Sequence, residues 1–310
     1  MGGAMNAEVL LCCDEGPGAG LGHRARCEAI ARALRTLGQR AIVIPTGDGI
    51  VAAPVIVVDS YRLRADDRHH FVPDVVIAID DLERDLAVDC IVAPSPGARA
   101  ELYQRATRVL TGARYALIDP ALPAVAEREP RRPSVSTPVP RVLVATGAAD
   151  RDGVGARIAA ALLAACPALD VQLVVGPWGS DAVPDGVTAL AGMRSLTAVL
   201  QQADVVVTAG GVTLLEALYL GRPCVTFAIA ANQQANVDAV ARAGAAVVTD
   251  IDQVAATACA LVDDAARRAE LSVAGAALVD GVGATRVAHV IAELATPARP
   301  RSREVVGSAQ

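Results

Sequence analysis

The 310-residue chain has no lysine; all 28 of its basic residues are arginine, set against 34 acidic residues for a formal net charge of −6. Aromatic residues make up only 2%. No basic tract interleaved with aromatics stands out, which argues against nucleic-acid binding. The arginine bias fits a GC-rich coding sequence and carries no function of its own. The seven cysteines (Cys12, Cys13, Cys27, Cys90, Cys166, Cys224 and Cys259) are odd in number and sit mostly in apolar runs, with no C-x-x-C. They read as small buried hydrophobes in a reducing compartment rather than as a disulfide framework. No H-E-x-x-H or Walker motif occurs. No apolar run reaches the roughly 20 residues needed to span a bilayer. The N-terminus has neither a charged leader nor a long apolar core, so no signal peptide is expected and the protein is expected in the cytoplasm.

What is present is a globular composition, 53% apolar, in a length that suits two domains with real cores. A proline-rich stretch from Pro120 to Pro140, with six prolines and an E-R-E-P-R-R run, reads as an interdomain linker. The expected organisation is an N-terminal domain over 1–122, a linker over 123–140, a C-terminal domain over 141–296 and a disordered tail over 297–310. Apolar strands and amphipathic helices alternate in both halves. That pattern predicts an α/β protein with two Rossmann-like domains, each a parallel sheet covered on both faces.

The segment Asp204 to Gly244 organises the second half. A short apolar run, Val205 to Val207, reads as a buried strand, and Gly210-Gly211 lets the backbone turn tightly toward a ligand. Thr213 then begins an apolar-periodic helix through Leu214, Leu215 and Leu218, which Gly221-Arg222-Pro223 stops. The free N–H groups of such a helix start form an anion site. Glu216 lies one turn into the helix and could accept from a diol. Asn232, Gln233 and Asn236 cluster at the head of another helix. Phosphate donors, a carboxylate and amides together suit a nucleotide-sugar pocket.

The first half has a matching junction. Glu8 to Cys13 reads as a strand, Asp14 to Gly22 as a glycine-rich loop, and Cys27, Ile30, Ala31, Leu34 and Leu37 as one face of a helix. The glycines are out of phase with a dinucleotide fingerprint. His23 follows Gly22 at the lip of the junction, where open α/β sheets place their ligand crevice.

The run Gly20-Leu21-Gly22-His23-Arg24-Ala25-Arg26-Cys27 resembles the G-x-G-H-x-x-R-C motif of the PseG/SpsG family of UDP-sugar hydrolases. Val55 to Tyr61 resembles that family's strand ending in D-x-Y, Ile79 to Leu82 its I-D-D-L, and Asp89 to Val92 the strand after that loop. Leu110 to Leu117 resembles its L-x-G-x-x-Y-A-L segment. The pattern G-G-x-T-x-x-E-A-x-x-x-G-x-P followed by N-Q-x-x-N resembles the C-terminal half of GT-B-type UDP-sugar enzymes, including the MurG glycosyltransferases. Two segments depart from the PseG/SpsG pattern. Ala148 and Ala149 follow Gly147 where that family has a Gly-Gly pair before its aspartate, here Asp150, and Asp119 to Leu122 replaces an arginine-containing end.

The resemblance implies a GT-B-like fold with the active site in an interdomain cleft. It implies that His23 activates a water that attacks the anomeric carbon of a UDP-linked amino or deoxy sugar, with inversion and without a cofactor or metal. An imidazole suits that task because it titrates near neutrality. Gly20, Gly22, Arg26, Tyr61 and Asp80 would form the sugar side of the cleft. Gly147 and Asp150 would bind the substrate or its nucleotide, Gly210, Gly211 and Thr213 the diphosphate, Glu216 the ribose hydroxyls, and Asn232, Gln233 and Asn236 the sugar or the phosphates. The alternative is a GT-B glycosyltransferase in which the same base deprotonates a hydroxyl acceptor. The only partner implied is the UDP-sugar, with the protein a monomer or weak homodimer. Two D-x-D spellings, Asp150-Arg151-Asp152 and Asp250-Ile251-Asp252, are expected to cap helices rather than to bind metal. His69-His70 is expected on a solvated turn.

Overall fold

The computed structural model describes residues 8–47, 53–64, 74–119, 121–122, 139–180 and 182–296. The expectations for His69-His70, for most of the linker and for the tail fall outside the described residues.

Two six-stranded sheets carry the fold, and every strand pairing in them is parallel. The first contains β1 (Glu8–Cys13), β2 (Arg40–Pro45), β3 (Val55–Asp59), β4 (Val75–Ile79), β5 (Cys90–Ala93) and β6 (Arg108–Thr111), in the order β2-β1-β3-β4-β5-β6. The second contains β7 (Arg141–Ala145), β8 (Asp170–Val175), β9 (Thr188–Ala191), β10 (Val205–Ala209), β11 (Cys224–Phe227) and β12 (Val247–Val248), in the order β12-β11-β10-β7-β8-β9. The central strands β3 and β10 are buried along their whole length. That is why their sequences, VIVVD and VVVTA, run apolar without alternating.

The first sheet is covered unequally. One face packs α1 (Gly22–Thr36), whose Cys27, Ile30, Ala31 and Leu34 are fully buried. The other face is closed by loop residues Leu63, Leu86, Val88 and Tyr103. Among the described residues no α-helix joins β4 to β5 or β5 to β6. Both faces are thus covered, as expected from the sequence, with the 80–89 and 94–107 connections contributing apolar side chains of their own.

The second sheet is packed between helices. They are α2 (Val154–Ala165), α3 (Thr197–Gln202), α4 (Val212–Tyr219), α5 (Gln234–Arg242), α6 (Val254–Asp263) and α7 (Ala265–Leu278). The chain passes between the two units twice. Ala116, Ile118 and Leu122 leave the first sheet and bury in the second unit's core. The last helix, α8 (Gly283–Ala295), returns and packs against α1 with Val287, Ala288 and Ile291 fully buried. The domain limits read from the sequence put α8 in the C-terminal unit; its core contacts belong to the N-terminal one. Burial of Val287 and of Ile291 stabilises this return by about 1.5–3 kcal/mol each. Gly283 makes the crossing possible, since a Cβ there would overlap the Ala116 carbonyl.

The stretch Ala265–Ala295 has the length and hydropathy of a membrane span, longer than the sequence reading allowed. It is two helices broken at Val279–Val282, and each buries one face in a core.

Both sheets direct the loops after their C-terminal strand ends toward each other. The loop after β1 leads into α1 and the loop after β10 leads into α4. The two helix starts meet, and a Cβ on Gly22 would lie 3.9 Å from Val212 Cγ2. This is the crevice position typical of open α/β sheets.

Candidate active site

His23 is the second residue of α1 and is 2% exposed. Its Nδ1 lies 2.5 Å from Oδ1 of Asp59, the last residue of β3. A carboxylate at that distance accepts a hydrogen bond from Nδ1–H, so Nε2 is left as the basic nitrogen. Arg26 Nη2 also lies 3.0 Å from Nδ1, and it donates one of its two protons to Asp59 Oδ1 at 2.8 Å. Nε2 is buried without a hydrogen-bond partner among the described residues. The Tyr61 ring packs edge-on against the imidazole, centroid to centroid 4.3 Å.

Arg26, one turn along α1, ties the site together. Its Nε donates to Asp59 Oδ2 at 2.7 Å and its Nη1 to Asp81 Oδ2 at 2.8 Å. Burial opposes its charge, but the two carboxylates outweigh that and raise its basicity. Burial likewise pushes Asp81 up, yet the Arg26 guanidinium holds it below the usual carboxylate range. The Tyr61 phenol is pushed up to about 12, by burial and then by the Asp81 charge. Tyr61 therefore acts as a neutral hydroxyl at ordinary pH.

The second unit closes the site directly. Asn232 Nδ2 donates to the Tyr61 hydroxyl at 2.8 Å and lies 3.5 Å from Asp81 Oδ2. Tyr61 Oη is 3.4 Å from the same Asp81 oxygen. Gly97 rests against the start of α5, where any Cβ would overlap the Ala235 carbonyl.

The glycine turn after β10 is fixed from behind. Gly210 cannot carry a side chain, because a Cβ would fall 2.9 Å from Val237 Cγ2 and 3.0 Å from the Gln233 carbonyl. Asn236 Nδ2 donates to the Gly210 carbonyl at 2.9 Å, and Gln233 Oε1 accepts from the Ile229 backbone at 3.0 Å. Gln233 and Asn236 thus hold the loops, and Gly210 is required by packing. Gly211 faces open space, and no side chain caps α4 where Val212 and Thr213 begin it. An uncapped helix start of this kind leaves backbone N–H groups free to face an anion.

Glu216 is buried in α4, and its Oε1 accepts from the Asp119 backbone N–H at 3.1 Å. Burial pushes its carboxyl up to about 7 despite that bond. The Asp119 carboxylate accepts from the Ser195 hydroxyl at 2.7 Å.

Three expected residues sit differently. Asp80 turns away from the cleft; it accepts from Arg84 Nε at 2.6 Å and from the Tyr103 hydroxyl at 3.1 Å. Its neighbour Asp81 takes the cleft position. Asp150 accepts from the Val154 and Gly155 amides at 2.9 and 2.7 Å and from Thr146 Oγ1 at 2.7 Å. It caps α2, as expected of the first D-x-D pair, and its oxygens face the helix. Asp250 precedes a 3₁₀ turn without a side-chain cap bond. Gly20 has φ +73° in the loop before α1, closed by a bridge between Gly16 and Gly20. Gly147 has φ +117° with open space around it, so that turn, too, is exposed. Asp59 and Asp81 were not singled out from the sequence, although both lie within quoted motifs. All seven cysteines are free, and only Cys166 is not fully buried. Among the described residues no group of three His, Cys, Asp or Glu side chains converges as a metal site would.

No protein-family profile matches the chain, and no curated protein sequence matches it significantly. Solved structures do. The glycotransferase of kitacinnamycin superposes with a TM-score of 0.63 at 18% identity, over 94% of this chain and 100% of that one. MurG of Acinetobacter baumannii gives 0.59 at 13% identity, over 92% and 99%. MnaA of S. aureus, solved with UDP, gives 0.63 at 13% identity, over 93% and 97%. These likenesses span nearly the whole chain and establish the fold as the GT-B type seen in glycosyltransferases.

Proposed function

We propose that this protein is a nucleotide-sugar hydrolase that releases UDP and a free sugar. The observation that carries the reading is the His23–Asp59 pair, seated opposite the uncapped start of α4. UDP would lie on the second unit, with its diphosphate at Gly211, Val212 and Thr213. Glu216 Oε2, which has no hydrogen bond among the described residues, would take the ribose hydroxyls.

Asp59 accepts from Nδ1–H, and Nε2 takes a proton from water as the water oxygen bonds to the anomeric carbon. The bond from that carbon to the diphosphate oxygen breaks, and the electron pair leaves with UDP. Helix-end N–H groups opposite the growing charge stabilise it. The nucleophile and the leaving group lie on opposite sides, so the configuration inverts. We favour hydrolysis over transfer because Nε2 is buried and the Tyr61 ring packs edge-on against the imidazole, a setting that suits water better than a bulky acceptor.

Glycosyl transfer is the second reading. The structurally similar proteins include enzymes described as glycosyltransferases. Leu21, Leu82 and Ile229, each 41–42% exposed, adjoin site residues and could meet an apolar acceptor. Incubation with a panel of UDP-sugars and no acceptor separates the two. UDP release in stoichiometric excess over enzyme supports hydrolysis, and release only after an acceptor is added supports transfer.

A further inference from the structure

The loop from Ile229 to Asn236 touches the proposed diphosphate turn on one side and the surroundings of the base on the other. Toward the turn, Asn236 holds the Gly210 carbonyl, and the Gln233 backbone packs where a Gly210 Cβ would stand. Toward the base, Asn232 donates to Tyr61, which packs on the His23 ring, and it lies beside Asp81, which pairs with Arg26. Arg26 in turn holds Asp59, the partner of Nδ1. Only a few residues therefore separate the turn on one unit from the imidazole on the other.

We propose that the Asn232–Tyr61 hydrogen bond couples nucleotide occupancy of the second unit to the setting of His23 in the first. Asn232 and Tyr61 are positioning residues in this scheme. A nucleotide that orders the Gly210–Thr213 turn also orders the loop behind it. The Asn232 amide then fixes the Tyr61 ring over the imidazole. This deepens the nucleotide-sugar reading and rests on it.

Coupling is reciprocal: if the nucleotide strengthens the contact, the contact strengthens nucleotide binding. The discriminating variant is Tyr61→Phe, which keeps the ring against His23 and removes only the hydroxyl. UDP itself is the probe, measured by calorimetry on the full chain. The Tyr61→Phe variant is expected to bind UDP about 2- to 10-fold more weakly, the effect of one net hydrogen bond. The double variant with Asn232→Ala should bind no more weakly than Asn232→Ala alone. In ¹⁵N-histidine spectra, UDP should move the His23 ring signals of the wild type and leave them nearly unmoved in Tyr61→Phe. Equal UDP affinity of Tyr61→Phe and wild type, or additive losses in the double variant, would overturn the coupling and leave the nucleotide site standing. A wild type that does not bind UDP would remove the nucleotide-sugar reading and the coupling together.

Discussion

Nδ1 of His23 and Oδ1 of Asp59 lie 2.5 Å apart, and both side chains are at least 98% buried. The aspartate comes from the end of β3 and the histidine from the start of α1, so the pair is set by two rigid elements. Replacing His23 by Ala should lower turnover about 10²–10⁴-fold, the usual contribution of a general base. Asp59→Asn should fall in the same range, because an amide no longer dictates which nitrogen carries the proton. UDP affinity should change little in either variant. Rates are measured on whichever UDP-sugar gives UDP release, and affinity by calorimetry. A His23→Ala variant with half the wild-type rate would exclude His23 as the base.

Glu216 supplies a pH-dependent prediction. Burial raises its carboxyl from 4.5 to about 7 in the native state. Between those values the native protein keeps a proton that the unfolded chain has released, so stability falls as pH rises through this window. Below it both states are protonated and no penalty exists; above it the full penalty of burying the charge remains. The size is roughly 3 kcal/mol. Glu216→Gln keeps an oxygen for the Asp119 amide and avoids the charge. It should therefore be more stable than wild type at pH 8, with the difference shrinking toward pH 4.5. Denaturant unfolding at the two pH values measures this, and a pH-independent difference would mean that the native carboxyl titrates normally.

Much of this architecture was legible in the sequence because buried parallel strands are apolar throughout. The run Glu8 to Cys13 matches β1 residue for residue, and the run from Val205 marks the start of β10. His23, Arg26, Tyr61 and Asn232 do converge. Sequence spacing could not choose between Asp80 and Asp81. Adjacent residues beyond a strand end point to opposite sides, and which side is the cleft depends on where Arg26 and Tyr103 come to lie. The return of α8 to the first unit was illegible for a similar reason. Its apolar stripe shows that it packs, not against which sheet.

Gly97 tests whether the two units must close on one another. A Cβ there would meet the backbone of Ala235, which cannot move as a flexible side chain would. Gly97→Ala should therefore hold the start of α5 away from the first unit and lengthen the Asn232–Tyr61 contact. Turnover should drop at least tenfold. Thermal stability should change by less than a core substitution would cost, about 2–5 kcal/mol. Activity and unfolding are measured side by side. An unchanged rate would show that catalysis does not need this approach of the two units.

The last prediction concerns which bond breaks. Attack at phosphorus would give a sugar phosphate and UMP, and enzymes of that kind generally organise metal ions around the diphosphate. The carboxylates near the cleft are engaged otherwise: Asp59 and Asp81 hold Arg26, and Asp150 caps α2. The nitrogen left to act on water is Nε2 of His23, on a helix whose start lies against the start of α4 that would hold the diphosphate. In the proposed reaction a water activated there would reach the anomeric carbon from the side away from the leaving group. Reaction in ¹⁸O water should therefore place the label in the free sugar and leave UDP unlabelled. The first-formed anomer should be opposite to that of the substrate. A chelator should leave the rate unchanged. Label in the nucleotide, or retained configuration, would exclude direct displacement by a His23-activated water.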